Sequence, residues 1–237
     1  MSGHSKWANI KRRKESQDQK KGQTFSKLAK AIQMAVKEGG SASPEANARL
    51  KMIIDQARNS DMPKENINRA IDNAINKTEA IEGLSLEGYG PFGVAVIVSC
   101  ATDNRQRTIQ EIKSIFTRNG GNLAEPGSVA FQFDRTGLVE TGLLNEDNLL
   151  ELLDIAQDFE QSDDSTYFYL PPEKIEGLKQ KLENMKIKID YSGIVMKPKN
   201  LMTLDEAKVG KTLAFLEELE DHEDVQDVYS NVNTEMA

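Results

Sequence analysis

The sequence predicts an α+β protein, with an N-terminal three-helix domain and two ferredoxin-like split-βαβ domains, one inserted in the other. Three observations predict it. Apolar residues recur at helical spacing from Thr24 to about residue 78. From Val94 the pattern changes to a continuous apolar run and then to alternation, both strand signatures. From about 136 to 198 the expected elements follow the order β-α-β-β-α-β.

The helices come first. Phe25, Leu28, Ala29, Ile32 and Val36 mark one buried face, with Ser26, Lys30, Gln33 and Lys37 opposite, and Gly39-Gly40 ends the helix. Ser43-Pro44 reads as an N-cap followed by proline at the first helical position. It opens a second helix that turns Leu50, Ile53, Ile54 and Ala57 inward and stops at Asn59-Ser60-Asp61. Pro63 opens a third, buried through Ile67, Ala70, Ile71, Ala74 and Ile75. Gly83 to Gly93 reads as a break.

Val94 to Cys100 is expected as a buried strand, and Thr102-Asp103-Asn104 caps a helix with Ile109, Ile112, Ile115 and Phe116 inward. Val129, Phe131 and Phe133 alternate as a strand, and Leu138-Val139 begin another. A helix through Leu149, Leu152, Leu153 and Ala156 follows, then strands near Phe159 and over Thr166–Leu170. A helix after Pro171-Pro172 and a strand through Ile187, Ile189 and Tyr191 come next. The chain closes with a helix from Asp205 to about Glu220 and a strand near Val225 to Val232. The expected division is a basic arm 1–23, a helical domain 24–78, an α+β domain made of 79–135 with 199–237, and an inserted α+β domain 136–198.

The composition is that of a globular chain, 38% hydrophobic and 29% charged over 237 residues, enough for a core without staples. Cys100 is the single cysteine, so no intramolecular disulfide forms, which fits a reducing compartment. The opening residues carry no apolar leader, and the run Val94 to Val98 is too short to span a bilayer. These features lead us to expect a cytoplasmic monomer with no membrane partner.

Charge is divided unevenly. Residues 1–78 hold 16 Lys+Arg against 8 Asp+Glu, whereas 79–237 hold 14 against 30. A net of +8 is therefore joined to a net of −16, and the chain as a whole carries −8. Such asymmetry points to a polyanion met by one end of the molecule. The candidate contacts are Lys6, Lys11, Arg12, Arg13, Lys14, Lys20, Lys21, Lys27 and Lys30, opposed locally only by Glu15 and Asp18. Trp7 is placed either to stack on a base or to pack on the protein. Arg105 and Arg107 start a helix, where free N–H groups and the helix dipole favour an anion; an ordinary capped helix with solvated arginines reads equally well there.

Nothing points to catalysis or to a cofactor. His4 and His222 are the only histidines, no Cys/His cluster has metal-ligand spacing, and no glycine-rich loop is followed by Lys-Ser/Thr. We expect no metal, no small-molecule substrate and no enzymatic activity.

Several blocks carry a resemblance. Gly3-His4-Ser5-Lys6-Trp7-Ala8-Asn9-Ile10-Lys11, Phe25-Ser26-Lys27-Leu28, Lys37-Glu38-Gly39-Gly40 and Asn47-Ala48-Arg49-Leu50 come first. Met62-Pro63-Lys64-Glu65-Asn66-Ile67, Glu87-Gly88-Tyr89-Gly90-Pro91, Thr102-Asp103-Asn104-Arg105 and Gly127-Ser128-Val129 follow in order. In these blocks the chain resembles the YebC/PmpR family, which includes the mitochondrial translational activator of cytochrome oxidase subunit one. The resemblance implies a helical domain and two α+β domains around a cleft. It also implies regulation of gene expression, described for the family both as DNA-binding transcriptional control and as a translation factor on the ribosome that eases synthesis through proline-rich stretches. Phe92 stands where the family often has glycine, and Arg12 where histidine is common.

Overall fold

The computed structural model describes residues 18–76, 81–162 and 164–234, with side chains from Gly22 onward. Three helices come first: α1 (Asp18–Gly39), α2 (Ala48–Asn59) and α3 (Lys64–Asn76). Their apolar faces close on one core of Ile32, Ala35, Leu50, Ile54, Ala57, Ile67 and Ala70. α1 starts earlier than its apolar periodicity indicates, because Asp18 to Gln23 contain no apolar side chain for a hydrophobic pattern to register.

α2 corrects the expected cap. Ser43-Pro44 lies in the loop before the helix, and Asn47 is the capping residue. Asn47 is buried; its Oδ1 accepts the Leu50 N–H at 3.0 Å, and its Nδ2 donates to the Ala35 carbonyl at 2.8 Å and the Ser41 carbonyl at 2.9 Å. One amide thus starts α2 and holds the end of α1. A Cβ on Gly39 would collide with that amide, and Gly40 takes φ +63°, so the glycine pair does more than stop a helix. Ile75, expected inside, is 59% exposed.

The rest forms two four-stranded antiparallel sheets. The first has the order β3-β1-β2-β8, from β1 (Glu82–Tyr89), β2 (Ala95–Thr102), β3 (Asn122–Ala124) and β8 (Val225–Ser230). The stretch expected as a break is therefore a strand, paired with β2 along its whole length from Glu82↔Thr102 to Tyr89↔Ala95. Its glycines are packing requirements, since a Cβ on Gly88 would strike Phe116 and the Asn122 carbonyl. The β1–β2 turn carries Phe92 at φ +62°, which explains why glycine suits that position. α4 (Arg105–Arg118) follows β2, and the residues after β3 hold a 3₁₀ turn at Ala130–Gln132 where a strand was expected to begin.

The second sheet has the order β5-β6-β4-β7, from β4 (Phe133–Gly142), β5 (Asp158–Gln161), β6 (Ser165–Leu170) and β7 (Ile189–Pro198). α5 (Glu146–Leu152) and α6 (Ile175–Asn184) are its helices. The chain then re-enters the first sheet through α7 (Glu206–Glu220) and β8. The first sheet departs from the expected connectivity: its fourth strand, β1, precedes β2 as a hairpin.

The two sheets pack face to face. Val94, Val96, Val98 and Cys100 bury against Ile112 and Phe116 of α4 and Phe215 of α7. Alternate residues Ala95 and Ile97 face Leu138, Tyr167, Tyr169 and Val195 of the second sheet. A strand buried on both sides must be apolar throughout, which accounts for the run from Val94 to Val98. All five tyrosines of the chain lie in this seam between sheets. The outer face of the second sheet buries Val139, Phe168 and Leu170 under α5 and α6. The helical bundle touches both sheets, α1 against β2 and β8 and α2 against β7. Gln56 donates to the Ser192 carbonyl at 2.7 Å, Lys51 pairs with Glu176 at 2.8 Å, and Lys179 pairs with Asp55 at 3.3 Å. No described helix is long and apolar enough to cross a membrane.

Candidate nucleic-acid interface

Helical spacing decides where α1 sends its cations. Lys27 and Lys30 are three residues apart and share a face. That face meets the end of α7 rather than solvent. Lys27 Nζ donates to the Glu220 carbonyl, and Lys30 Nζ reaches the Glu223 carbonyl at 3.3 Å and Asp224 Oδ1 at 2.6 Å.

Asp224 is the centre of this junction. Its side chain has 0% exposure, and its Oδ2 accepts from the Thr108 hydroxyl at 2.7 Å, the Thr102 hydroxyl at 3.3 Å and Arg107 Nη2 at 3.1 Å. Burial alone raises such a carboxyl, but Lys30, Thr108 and Arg107 outweigh it and hold it down at about 2. Arg107 also pairs with Asp103 at 3.1 Å and lies 4.0 Å from both Glu111 and Glu223. Four carboxylates therefore surround it, and its Nε is buried without a hydrogen bond among the described residues. Asn104 caps α4 by accepting the Arg107 N–H at 3.1 Å. Arg105, one position past the cap, is exposed. Arg118 at the far end of α4 pairs with Glu218, through Nε at 2.7 Å.

His222 accepts the Asp224 backbone N–H at Nδ1 (3.1 Å), so its Nε2 carries the proton toward Glu111 Oε2 at 2.9 Å. Glu111, His222 and Asp224 have ligand atoms within 4.8 Å of one another, but Lys30 and Arg107 already occupy the Asp224 oxygens. The arrangement is an ion-paired hub.

The opposite side of the bundle is different. α1 and α3 leave a shallow groove of about 230 Å³ between them. Asn66, Arg69 and Asn73 follow each other at i, i+3 and i+7 on α3 and form one rim; Gln33 of α1 faces them. Ala29 and Ala70 line the groove between the rims, and Phe25 is beside them. Among the described side chains no Asp or Glu lines it, although the chain has 38.

The expected contacts are thus distributed in four ways. Lys6, Trp7, Lys11, Arg12, Arg13 and Lys14 lie outside the described residues, as do the side chains of Lys20 and Lys21 in the first turn of α1. Lys27, Lys30 and Arg107 are brought together, but on Glu220, Glu223 and Asp224 of the protein itself. Arg105 faces solvent. The groove residues were not among the expected contacts; their sequence signal is the polar i, i+3, i+7 spacing on α3 beside an apolar face.

The motif blocks find their reason in the same geometry. Glu87 accepts three backbone N–H bonds at 2.7 Å, from Gly127, Val129 and Ala130, while the Tyr89 hydroxyl donates to the Ser128 carbonyl at 3.1 Å. Burial raises the Glu87 carboxyl, but the three N–H donors leave it below its ordinary value.

Comparison with known proteins agrees along the chain. A model described as the TACO1/YebC protein N-terminal domain matches residues 5–77, and one described as the TACO1/YebC second and third domain matches residues 81–232. A probable transcriptional regulatory protein of Syntrophomonas wolfei is 43% identical over 242 residues, covering 98% of this chain and 96% of that one. One of Geobacillus thermodenitrificans is 44% identical over 242 residues, covering 98% and 97%. The crystal structure of the conserved hypothetical protein Aq1575 from Aquifex aeolicus superposes with a TM-score of 0.84 at 37% identity, covering 91% of each chain. The Syntrophomonas wolfei and Geobacillus thermodenitrificans proteins carry names of regulators, not of enzymes. With both halves matched in order and the fold shared, the chain belongs to the TACO1/YebC family.

Proposed function

We propose that the protein is a nucleic-acid-binding regulator of gene expression that works as a ribosome-associated translation factor and eases synthesis through proline-rich stretches. The observation that carries the reading is charge segregation, +8 on residues 1–78 against −16 on the remainder. A basic tip on an acidic body suits entry into a crowded RNA channel, because the body is repelled by phosphate that the tip attracts. Lys27 is held on the Glu220 carbonyl, and Lys30 and Arg107 on the Asp224 carboxylate. The principal contact is therefore assigned to residues 1–23, with Arg105 reinforcing it, on the phosphate backbone of rRNA or tRNA. The effect is positional and involves no covalent chemistry. In this reading the inserted 136–198 unit and its host orient the arm, and the protein acts as a cytoplasmic monomer.

A second reading is a duplex-DNA-binding transcriptional regulator, which the printed names of the relatives favour. Competition between ribosomes and mixed-sequence duplex DNA at about 150 mM salt separates the two. Ribosome preference that is lost on charge reversal at Arg12, Arg13 and Lys14 is the expected result. Preference for DNA, or for a subset of DNA sequences, makes the second reading primary.

A further inference from the structure

The geometry points to the α1–α3 groove as a binding site for an unpaired nucleobase of a single-stranded nucleic acid, an inference that rests on the reading of the protein as a nucleic-acid binder. Four features carry it. The rim consists of three amides and one guanidinium: Gln33, Asn66, Asn73 and Arg69. These groups offer donors and acceptors side by side, which is what the edge of a base requires. None of the four takes part in a side-chain hydrogen bond or ion pair among the described residues, whereas Asn47, Gln56 and Asn104 in the same chain are all engaged. Small residues Ala29 and Ala70 leave room for a flat ring, with the half-buried Phe25 beside it.

The remaining feature is placement. Gly22 lines the groove, one residue beyond Lys21 and four residues after α1 begins at Asp18, so the groove lies at the end of α1 that follows the basic arm in sequence. In sequence the arm's cations run up to the groove, with Lys20 and Lys21 directly preceding Gly22. Among the described side chains no carboxylate lines the groove, which keeps it compatible with a polyanion. A base stacked in a duplex cannot enter a groove of this form, so the site selects unpaired bases.

The test uses the full-length protein and four labelled probes of equal length: oligoadenylate RNA, oligoadenylate DNA, an abasic backbone oligomer and a duplex. Adenine is the probe because Asn and Gln match its N6/N7 edge. Wild type is expected to bind the better of the two oligoadenylates about tenfold more tightly than the abasic strand. Asn66→Ala/Asn73→Ala is expected to abolish that difference while leaving abasic binding and the salt slope unchanged, since no phosphate contact is removed. Arg69→Ala, at an exposed position, gives an independent reduction of the same difference. Whichever oligoadenylate binds more tightly identifies RNA or DNA as the source. Equal binding of base-bearing and abasic strands by wild type overturns the groove, and so does a difference that survives the double variant. In both cases loss of binding on charge reversal at Arg12, Arg13 and Lys14 leaves the arm reading standing. Failure of wild type to bind any probe overturns both.

Discussion

The two sides of the helical bundle treat polar side chains in opposite ways. On the side facing the first sheet, Lys30, Arg107, Thr102 and Thr108 all converge on Asp224, which has 0% exposure. On the side facing solvent, Gln33, Asn66, Arg69 and Asn73 converge on a groove and bond to nothing among the described residues. Charge alone marks Lys30 and Arg107 as binding residues, and the structure pairs both with the protein's own Asp224. A buried carboxylate with several donors is expensive to unmake. Polar groups already in water and without partners are free to exchange that water for a ligand.

Removing the hub carboxylate breaks the first half of this contrast. Asp224→Ala leaves Lys30 and Arg107 pointed at a gap, and about 3 kcal/mol of unfolding free energy is expected to disappear in a denaturant titration. Acid does the same by titration. Asp224 sits at about 2 when folded, below the ordinary value of about 4, so its contribution is complete above pH 4 and is lost as pH falls through about 2. That contribution amounts to about 2 kcal/mol, and it should be missing from the acid limb of the Asp224→Asn stability curve. The smallest effect sharpens the other half. Asn66→Ala/Asn73→Ala is expected to shift stability by less than about 0.5 kcal/mol, as surface changes away from caps and cores do.

The helices were legible in the sequence because their apolar residues have a period, and the two-sided burial of β2 because its apolar run is unbroken. Ile32, Leu50 and Ile67 fall where helical spacing places them, and the run Val94 to Val98 could only be a strand covered on both faces. What escaped was set by long-range contacts. β1 carries Gly83, Ser85, Glu87 and Gly88, which have no strand signature of their own; it is a strand because β2 pairs with it and Phe116 packs on Gly88. The true cap of α2 is Asn47, chosen by carbonyls of Ala35 and Ser41 that the local pattern around Ser43-Pro44 does not reveal. The basic count of α1 was legible, but the direction of Lys27 and Lys30 was not, since Asp224 lies 194 residues from Lys30 in sequence. The family resemblance located blocks in which the structure gives Asn47 and Asn104 capping roles and Glu87 and Tyr89 loop-holding ones.

The most direct measurement is the salt dependence of affinity for one polyanionic probe, taken for wild type, Arg12→Ala/Arg13→Ala/Lys14→Ala, and Lys30→Ala. Removing three phosphate contacts lowers the slope of log K against log salt by roughly 2 to 3. That drop is expected for the arm variant, with the Lys30→Ala slope equal to wild type because Lys30 serves Asp224. An unchanged slope in the arm variant together with a lowered slope for Lys30→Ala would contradict the assignment, placing the polyanion at the junction instead of on the arm.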